Sequence, residues 1–560
     1  MTLHSNPIED FDVVIVGAGI NGAGVFHDLC HQGIRCLIIE KRDFGSGTSA
    51  APSRLIHGGL KYLETGEFGL VAESTFERNL LLKNAPHLVK PLPTIIPVRS
   101  WANGLWSATR TFFGFKAAFK SRGALLIKIG LIMYDLFGRK ERVMPKHKMR
   151  LRGSALRHLP ALRPDIVGTG VYFDAMITAP ERLVLELIQD GCAAMPSAKA
   201  MNWTALVGSE NGTLILDKVG KKYCVRPKLV INAAGPWIDA ANLCLGETTK
   251  LIGGTKGSHI VIKNDALVAQ LNGHMVYFEG DDGRILLVFP YHGRALVGST
   301  DITADDPDNL VCDDSEVGYF MYSLRVLFPS LTFDTDQIVY SYSGIRPLPN
   351  SEGVQPGLIS RDHSAPVLEP TLVRPYAIIS LIGGKWTTYR GFAQSVTNLV
   401  LGRLGKYRKV STQFLKIGGG RNYPTSEQDR QEWIDNCAAQ TGLSSSEITP
   451  LLKRYGTQAN AAAVHIAAFL ANRLLIGTHD YSVAEIDWIA RTEKVQHLED
   501  VILRRTLLAV TGALSNATLI DIAGVTGSAL GWTDEKIAQE IQDTIIYLQK
   551  RHRMYVSTSE

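Results

Sequence analysis

The chain has seven cysteines in 560 residues and no CxxC pair. Cys30, Cys36, Cys192, Cys224, Cys244, Cys312 and Cys437 are scattered without metal-ligand spacing. A zinc module and a disulfide scaffold are thereby excluded, and reduced thiols in a cytosolic compartment are the expectation. Also missing is any run of the ~18 to 20 uninterrupted apolar residues that a spanning helix needs. The best stretch, Ala124 to Gly138, is interrupted by Lys128 and Asp135. The opening MTLHSNPIEDF has neither a basic n-region nor an apolar h-region, so neither secretion nor cleavage is expected. Charge of one sign is scarce too: 59 basic against 54 acidic side chains give +5, too mild for a nucleic-acid partner unless concentrated. There is no internal repeat and no long low-complexity segment.

What is present is a chain 45% hydrophobic and 20% charged, enough to bury two or three cores. From Asp12 to Glu40 a short apolar strand (VVIV), a glycine turn, a helical stretch from Ile20 to His31 and a second strand (CLII) form a βαβ unit. Gly17, Gly19 and Gly22 stand in GxGxxG order between the first strand and the helix. They supply a tight turn, close pyrophosphate approach and helix-to-strand packing, with the helix N-terminus facing the phosphates. Ile20 and Asn21 lie within that motif, at the start of the helix. Glu40, eighteen residues after Gly22, can accept hydrogen bonds from ribose hydroxyls, which disfavours an NADP ligand. Lys41 follows it at the same edge.

FAD rather than NAD is indicated by what comes next. Gly45, Ser46, Gly47, Thr48 and Ser49 offer small side chains, hydroxyls and N–H groups where a flavin's second phosphate and ribityl chain would lie. NAAGPWIDA, containing Ala233 and Gly235, follows the strand KLVI with small residues at another turn. GGKWTTYRGFA places Gly383, Gly384, Lys385, Thr387 and Thr388 between the strand-like IISLI and a helix. That helix N-terminus and Lys385 suit negative charge developing on a reduced flavin. An NAD-linked enzyme would leave these motifs unexplained.

TSAAPSRLIHGGLKYLE (Thr48 to Glu64), KGSHIVI (Lys256 to Ile262), ALVGSTD (Ala295 to Asp301), YSGIRPL (Tyr342 to Leu348) and GGKWTTYRGFA together resemble the signatures of FAD-dependent glycerol-3-phosphate dehydrogenases of the aerobic, membrane-associated type and of the related glycerophosphate oxidases. The resemblance implies an α/β plus α architecture: a Rossmann-like FAD-binding domain of the amino-acid-oxidase type, a β-sheet-containing substrate domain and a helical C-terminal domain. It implies oxidation of sn-glycerol 3-phosphate to dihydroxyacetone phosphate and, in the dehydrogenases, electron delivery to quinone. The chain departs from the family pattern in having Lys61 where arginine is more usual, Ala50 and Pro52 in place of small hydroxyl residues, and Arg54 in place of lysine.

Oxidation of a secondary alcohol by flavin requires hydride transfer to N5 and loss of the hydroxyl proton to a base. His57, between the flavin loop and the permissive pair Gly58 and Gly59, is the candidate base; Arg54, Leu55 and Ile56 precede it along the expected cofactor wall. A phosphorylated substrate calls for a guanidinium fork, and Arg346 in SGIRPL is the candidate, at the position that binds substrate phosphate in the family. The resemblance adds Lys61, Tyr62, His259 and Thr387 as substrate contacts, with Arg361 in ISRDH near them.

From Arg99 to Arg152 thirteen lysines and arginines stand against Asp135 and Glu141, interleaved with Trp101, Trp106, Phe112, Phe113, Phe115 and Phe119. This composition suits docking at an anionic membrane surface, either on the cytoplasmic face of an inner membrane or from the cytoplasm. No nucleic-acid module accompanies it. The motif order makes the cofactor domain discontinuous, at 1–90, 155–255 and 340–410, with 91–154 and 256–339 forming the substrate domain. Residues 421–560 form a helical domain that either caps the substrate site or makes a homodimer. Thr533 is its clearest N-cap. Another polyol phosphate, such as erythritol phosphate, or oxygen as acceptor, are the open alternatives within this fold.

Overall fold

The computed structural model describes residues 8–63, 66–101, 123–304, 306–350 and 362–556. The first sheet is built on β1 (Glu9–Val16), whose Val13 to Val16 are all buried. It pairs in parallel with β2 (Cys36–Ile39) on one side and β3 (Lys221–Asn232) on the other. The outer neighbours are Ala377–Ser380 beside β3 and Lys199–Met201 beside β2, both also parallel. Near-continuous apolar runs are what strands covered on both faces require, each fully buried Val or Ile contributing ~1.5–3 kcal/mol. Helix α1 (Ile20–His31) packs against one face with helix Pro180–Ala194 and α4 (Tyr389–Arg403).

Register brings the ends of this sheet together. Val16 is level with Ile39 and Asn232, and Asn232 with Ser380. The glycine turn after β1, the NAAGPW turn after β3 and the GGKW turn after Ala377–Ser380 therefore leave the sheet at one carboxyl edge, where ligands of open α/β sheets bind.

The second sheet is largely antiparallel. Its long pair is β4 (Ile252–Ile262) with β5 (Ile338–Pro349), in which Thr255 faces Arg346 and His259 faces Tyr342. Strands Gly168–Ile177, Val89–Val98 and Met275–Glu279 extend it. Here the hydrogen bonding departs from the expected boundaries: Gly168–Ile177 and much of β5 fall in ranges assigned to the cofactor unit, yet pair in the second sheet. Local pattern identifies a strand but not its partner, which only long-range register decides.

Helices α2 (Phe68–Asn84) and α3 (Ala124–Phe137) cover the rim near the strand Gly168–Ile177. After Pro424 the described chain is helical apart from one isolated bridge between Leu474 and Ser482, and it ends with α5 (Asp534–His552). Thr533 caps α5 by accepting from the Lys536 N–H. The C-terminal helices bury Ile486, Ile489, Leu519 and Ile522 with Val261, Phe289 and Leu296 of the second sheet. Among the described residues no helix is long and apolar enough to cross a membrane.

Candidate active site

At the nucleotide end Gly17 has φ +100°, and a Cβ there would meet the Ala233 carbonyl at 2.6 Å. A side chain on Gly22 would run into the Gly17 carbonyl oxygen. The α1 N-terminus meets the flavin loop directly, the Ile20 N–H donating to Ser49 Oγ at 2.9 Å. Glu40 accepts from the Ala18 N–H (2.9 Å) and the Arg42 N–H (3.2 Å). Burial pushes its pKa up, against the lowering effect of those N–H groups.

From this end a cavity of about 2060 Å³ runs between the two sheets. Drug-sized ligands occupy roughly 300–1,000 Å³, so the space is of the order a dinucleotide and a small substrate need together. Its walls at one end are Gly17, Gly19, Glu40, Thr204 and Trp237, and at the other His57, Lys61, Tyr62, Lys385 and Arg346. The close backbone approaches at Gly17 and Gly22, the acid after β2 and the turns sharing one edge fit FAD.

At the far end the His57 N–H donates to Thr387 Oγ1 (3.1 Å), joining the LIHGG and GGKWTT segments. Asn21 joins the first and third turns by donating to the Gly383 carbonyl at 3.2 Å. Lys385 is buried; its Nζ donates to Ser74 Oγ of α2 at 3.1 Å and lies 3.7 Å above the Tyr62 ring. Gly59 has φ +75°, and a Cβ on it would collide with Tyr62 and Lys385. The cavity is also lined by Arg346, whose Nη1 pairs with Asp301 at 2.9 Å and whose Nη2 donates to Ser299 Oγ and the Thr300 carbonyl, both at 3.1 Å. These anchors fix the plane of the guanidinium. His259 is held by Ser53 Oγ at Nε2 (2.8 Å) and stacks on Tyr342, centroids 4.8 Å apart. Burial, then the charges of Arg346 and Arg54, push it well below the ordinary imidazole range, so the ring is neutral at pH 7.

Known proteins place the chain in a family. The FAD dependent oxidoreductase family matches residues 12–386, and the C-terminal domain of alpha-glycerophosphate oxidase matches 410–537. A glycerol-3-phosphate dehydrogenase of Synechocystis is 32% identical over 96% of this chain and 96% of its own. The chain belongs to the FAD-dependent glycerol-3-phosphate dehydrogenase family. An aerobic glycerol-3-phosphate dehydrogenase of Staphylococcus epidermidis is 32% identical over 73% of this chain and 71% of its own. The Bacillus halodurans glycerol-3-phosphate dehydrogenase, solved with FAD, shares the fold with a TM-score of 0.71 at 22% identity, over 97% of this chain and 95% of that one.

Against the sites expected for a glycerol-3-phosphate dehydrogenase, Gly17, Gly19, Ile20, Asn21, Glu40, Lys41, Gly47, Thr48, Ser49, Leu55, His57, Gly59, Lys61, Tyr62, Ala233, Gly235, His259, Arg346, Gly383, Gly384, Lys385 and Thr387 all line the cavity. Five do not. Gly22 sits beneath the turn as a packing glycine. Arg54 turns into the core with φ +55°, where Nη2 pairs with Glu181 at 3.0 Å and Nη1 donates to Tyr291 at 2.8 Å. Ile56 is core. Gly58 faces away, its N–H donating to Tyr134 (2.8 Å) and Asp174 (3.2 Å). Thr388 is buried behind Lys385. Two others line the wall with side chains otherwise engaged: Thr48 Oγ1 donates to the Ile345 carbonyl (2.7 Å), and Lys41 pairs with Asp308 at 3.0 Å. Arg361 lies outside the described residues, as does much of the basic, aromatic stretch, including Trp106, Phe112, Phe113, Phe115 and Phe119. Sequence reasoning did not single out Asp301 as an anchor, although it ends the ALVGSTD motif, nor Ser299, Trp237 or Arg504, which also line the cavity.

Proposed function

We propose that this protein oxidises sn-glycerol 3-phosphate to dihydroxyacetone phosphate and passes the electrons to a membrane quinone. The observation that carries the reading is that Arg346 and His57 line the same cavity as the nucleotide turn. Bound FAD would supply the two-electron acceptor that takes hydride from the carbinol carbon. Arg346, its plane set by Asp301, binds the phosphate through its fork. The His57 imidazole takes the proton from the substrate hydroxyl. Lys385 places a buried positive charge beside this space and stabilises anionic character there.

Membrane delivery is supported by α3. Its Ala124, Ile127, Leu131 and Tyr134 face inward, while Leu125, Ile129, Ile132 and Leu136 are 44–51% exposed. Exposed Lys128, Arg139 and Lys140 flank this stripe. An apolar stripe rimmed by cations suits the headgroup boundary of an anionic leaflet.

The test is anaerobic bleaching of the purified flavoprotein. Glycerol 3-phosphate should bleach it rapidly and a quinone analogue should restore the absorbance. Bleaching by erythritol phosphate alone would overturn the substrate and make Lys61 the mark of another specificity; reoxidation by oxygen but not by the quinone would overturn the acceptor.

A further inference from the structure

The nucleotide end of the cavity is walled by two loops, one after β2 (Glu40, Lys41, Arg42, Ser46) and one after Lys199–Met201 (Thr204, leading into Ala205 and Leu206 of the next strand). They are tied together: the Trp203 N–H donates to the Arg42 carbonyl (2.8 Å) and the Thr204 N–H to the Glu40 carbonyl (2.7 Å). Behind them lies a buried polar junction with the C-terminal domain. Asp43, wholly buried, accepts from Arg504 Nε (2.7 Å), Arg505 Nη1 (2.7 Å), Arg505 Nη2 (2.9 Å) and Asn202 Nδ2 (2.9 Å). Asn202 also donates to the Lys494 carbonyl (2.9 Å) and accepts from Gln496 Nε2 (2.6 Å). Asp500 accepts from Trp203 Nε1 (3.2 Å) and Arg504 Nη2 (2.6 Å).

Every one of these bonds joins residues 493–505 to a nucleotide-wall loop or braces the residues that do. Burial alone would raise the Asp43 pKa, but the two guanidiniums outweigh it and hold the carboxyl at about 2, so Asp43 is charged at neutral pH. A bidentate fork and a second arginine on one carboxylate fix direction as well as distance. The cavity touches this junction through Arg504.

We infer that the C-terminal domain is a cofactor clamp: Arg504 and Arg505, through Asp43 and Asn202, position the two loops that hold the nucleotide half of FAD. Neither side chain contacts the reacting end, so both are positioning residues.

Arg505→Lys and Asn202→Ala test this in the full-length protein. FAD affinity of the apoprotein is read by flavin fluorescence, and melting temperatures are taken with and without saturating FAD. Each variant should weaken FAD binding by about tenfold or more and narrow the gap between holo and apo melting temperatures, because stabilisation by a ligand falls with its affinity. Turnover at saturating FAD should stay near the parent's. Unchanged FAD affinity with holo and apo melting temperatures falling in parallel would show a purely structural junction and overturn the proposal. If Arg505→Lys does not fold, the Asn202→Ala result decides alone.

Discussion

Arg346 and Arg54 show what one residue's neighbours decide. Both lie in motifs and both were expected at the site, but one guanidinium faces the cavity while the other neutralises Glu181 in the core. The sequence marks both motifs; it does not reveal that Glu181, 127 positions away, claims Arg54. Truncating Arg346 to alanine removes about two charge-assisted hydrogen bonds to phosphate, roughly 1.5–3 kcal/mol each. The half-saturating glycerol 3-phosphate concentration should therefore rise by about 10²–10⁴, with little change for an unphosphorylated polyol, in steady-state assays. Asp301→Asn, which loosens the anchor and keeps the fork, should raise it by a smaller factor. His57→Ala should abolish substrate bleaching while FAD stays bound; normal bleaching would remove His57 from the role of base.

Secondary-structure elements were more legible than their partners. α1 begins and ends where the glycine fingerprint and its apolar spacing place it, and the runs VVIV, CLII and KLVI all lie in strands. The pairing of Gly168–Ile177 and β5 in the second sheet was not legible, because register is a property of two segments. The first turn makes its own prediction. Gly22→Ala forces a methyl against the Gly17 carbonyl, so the purified protein should emerge essentially flavin-free, seen as loss of visible absorbance. α3 makes another: Ile132→Asp places a charge in the exposed apolar stripe. It should cut sedimentation with phosphatidylserine vesicles about tenfold or more, given ~1.5–3 kcal/mol per buried apolar side chain, while soluble turnover persists.

Across the whole molecule, buried histidines give stability a pH dependence. His27 and His259 are both pushed well below the ordinary range, burial being the main cause in each. The unfolded chain takes up protons near pH 6.5 while the folded one does not. Their contribution is complete above that pH and is lost progressively as pH falls below it. The melting temperature should drop from pH 7.5 to 5, and His259→Gln should make that drop shallower.

The junction at Asp43 also sets an order of events in synthesis. Its arginine partner Arg505 lies 462 positions further along the chain. At ~5–20 residues per second the ribosome takes on the order of half a minute or more to supply it. Through that interval the fingerprint helix and first strands can form, but the wall behind the nucleotide has no second half. A chain stopped short of Arg504 should leave the ribosome colourless, so yellow colour reports that translation has passed the junction.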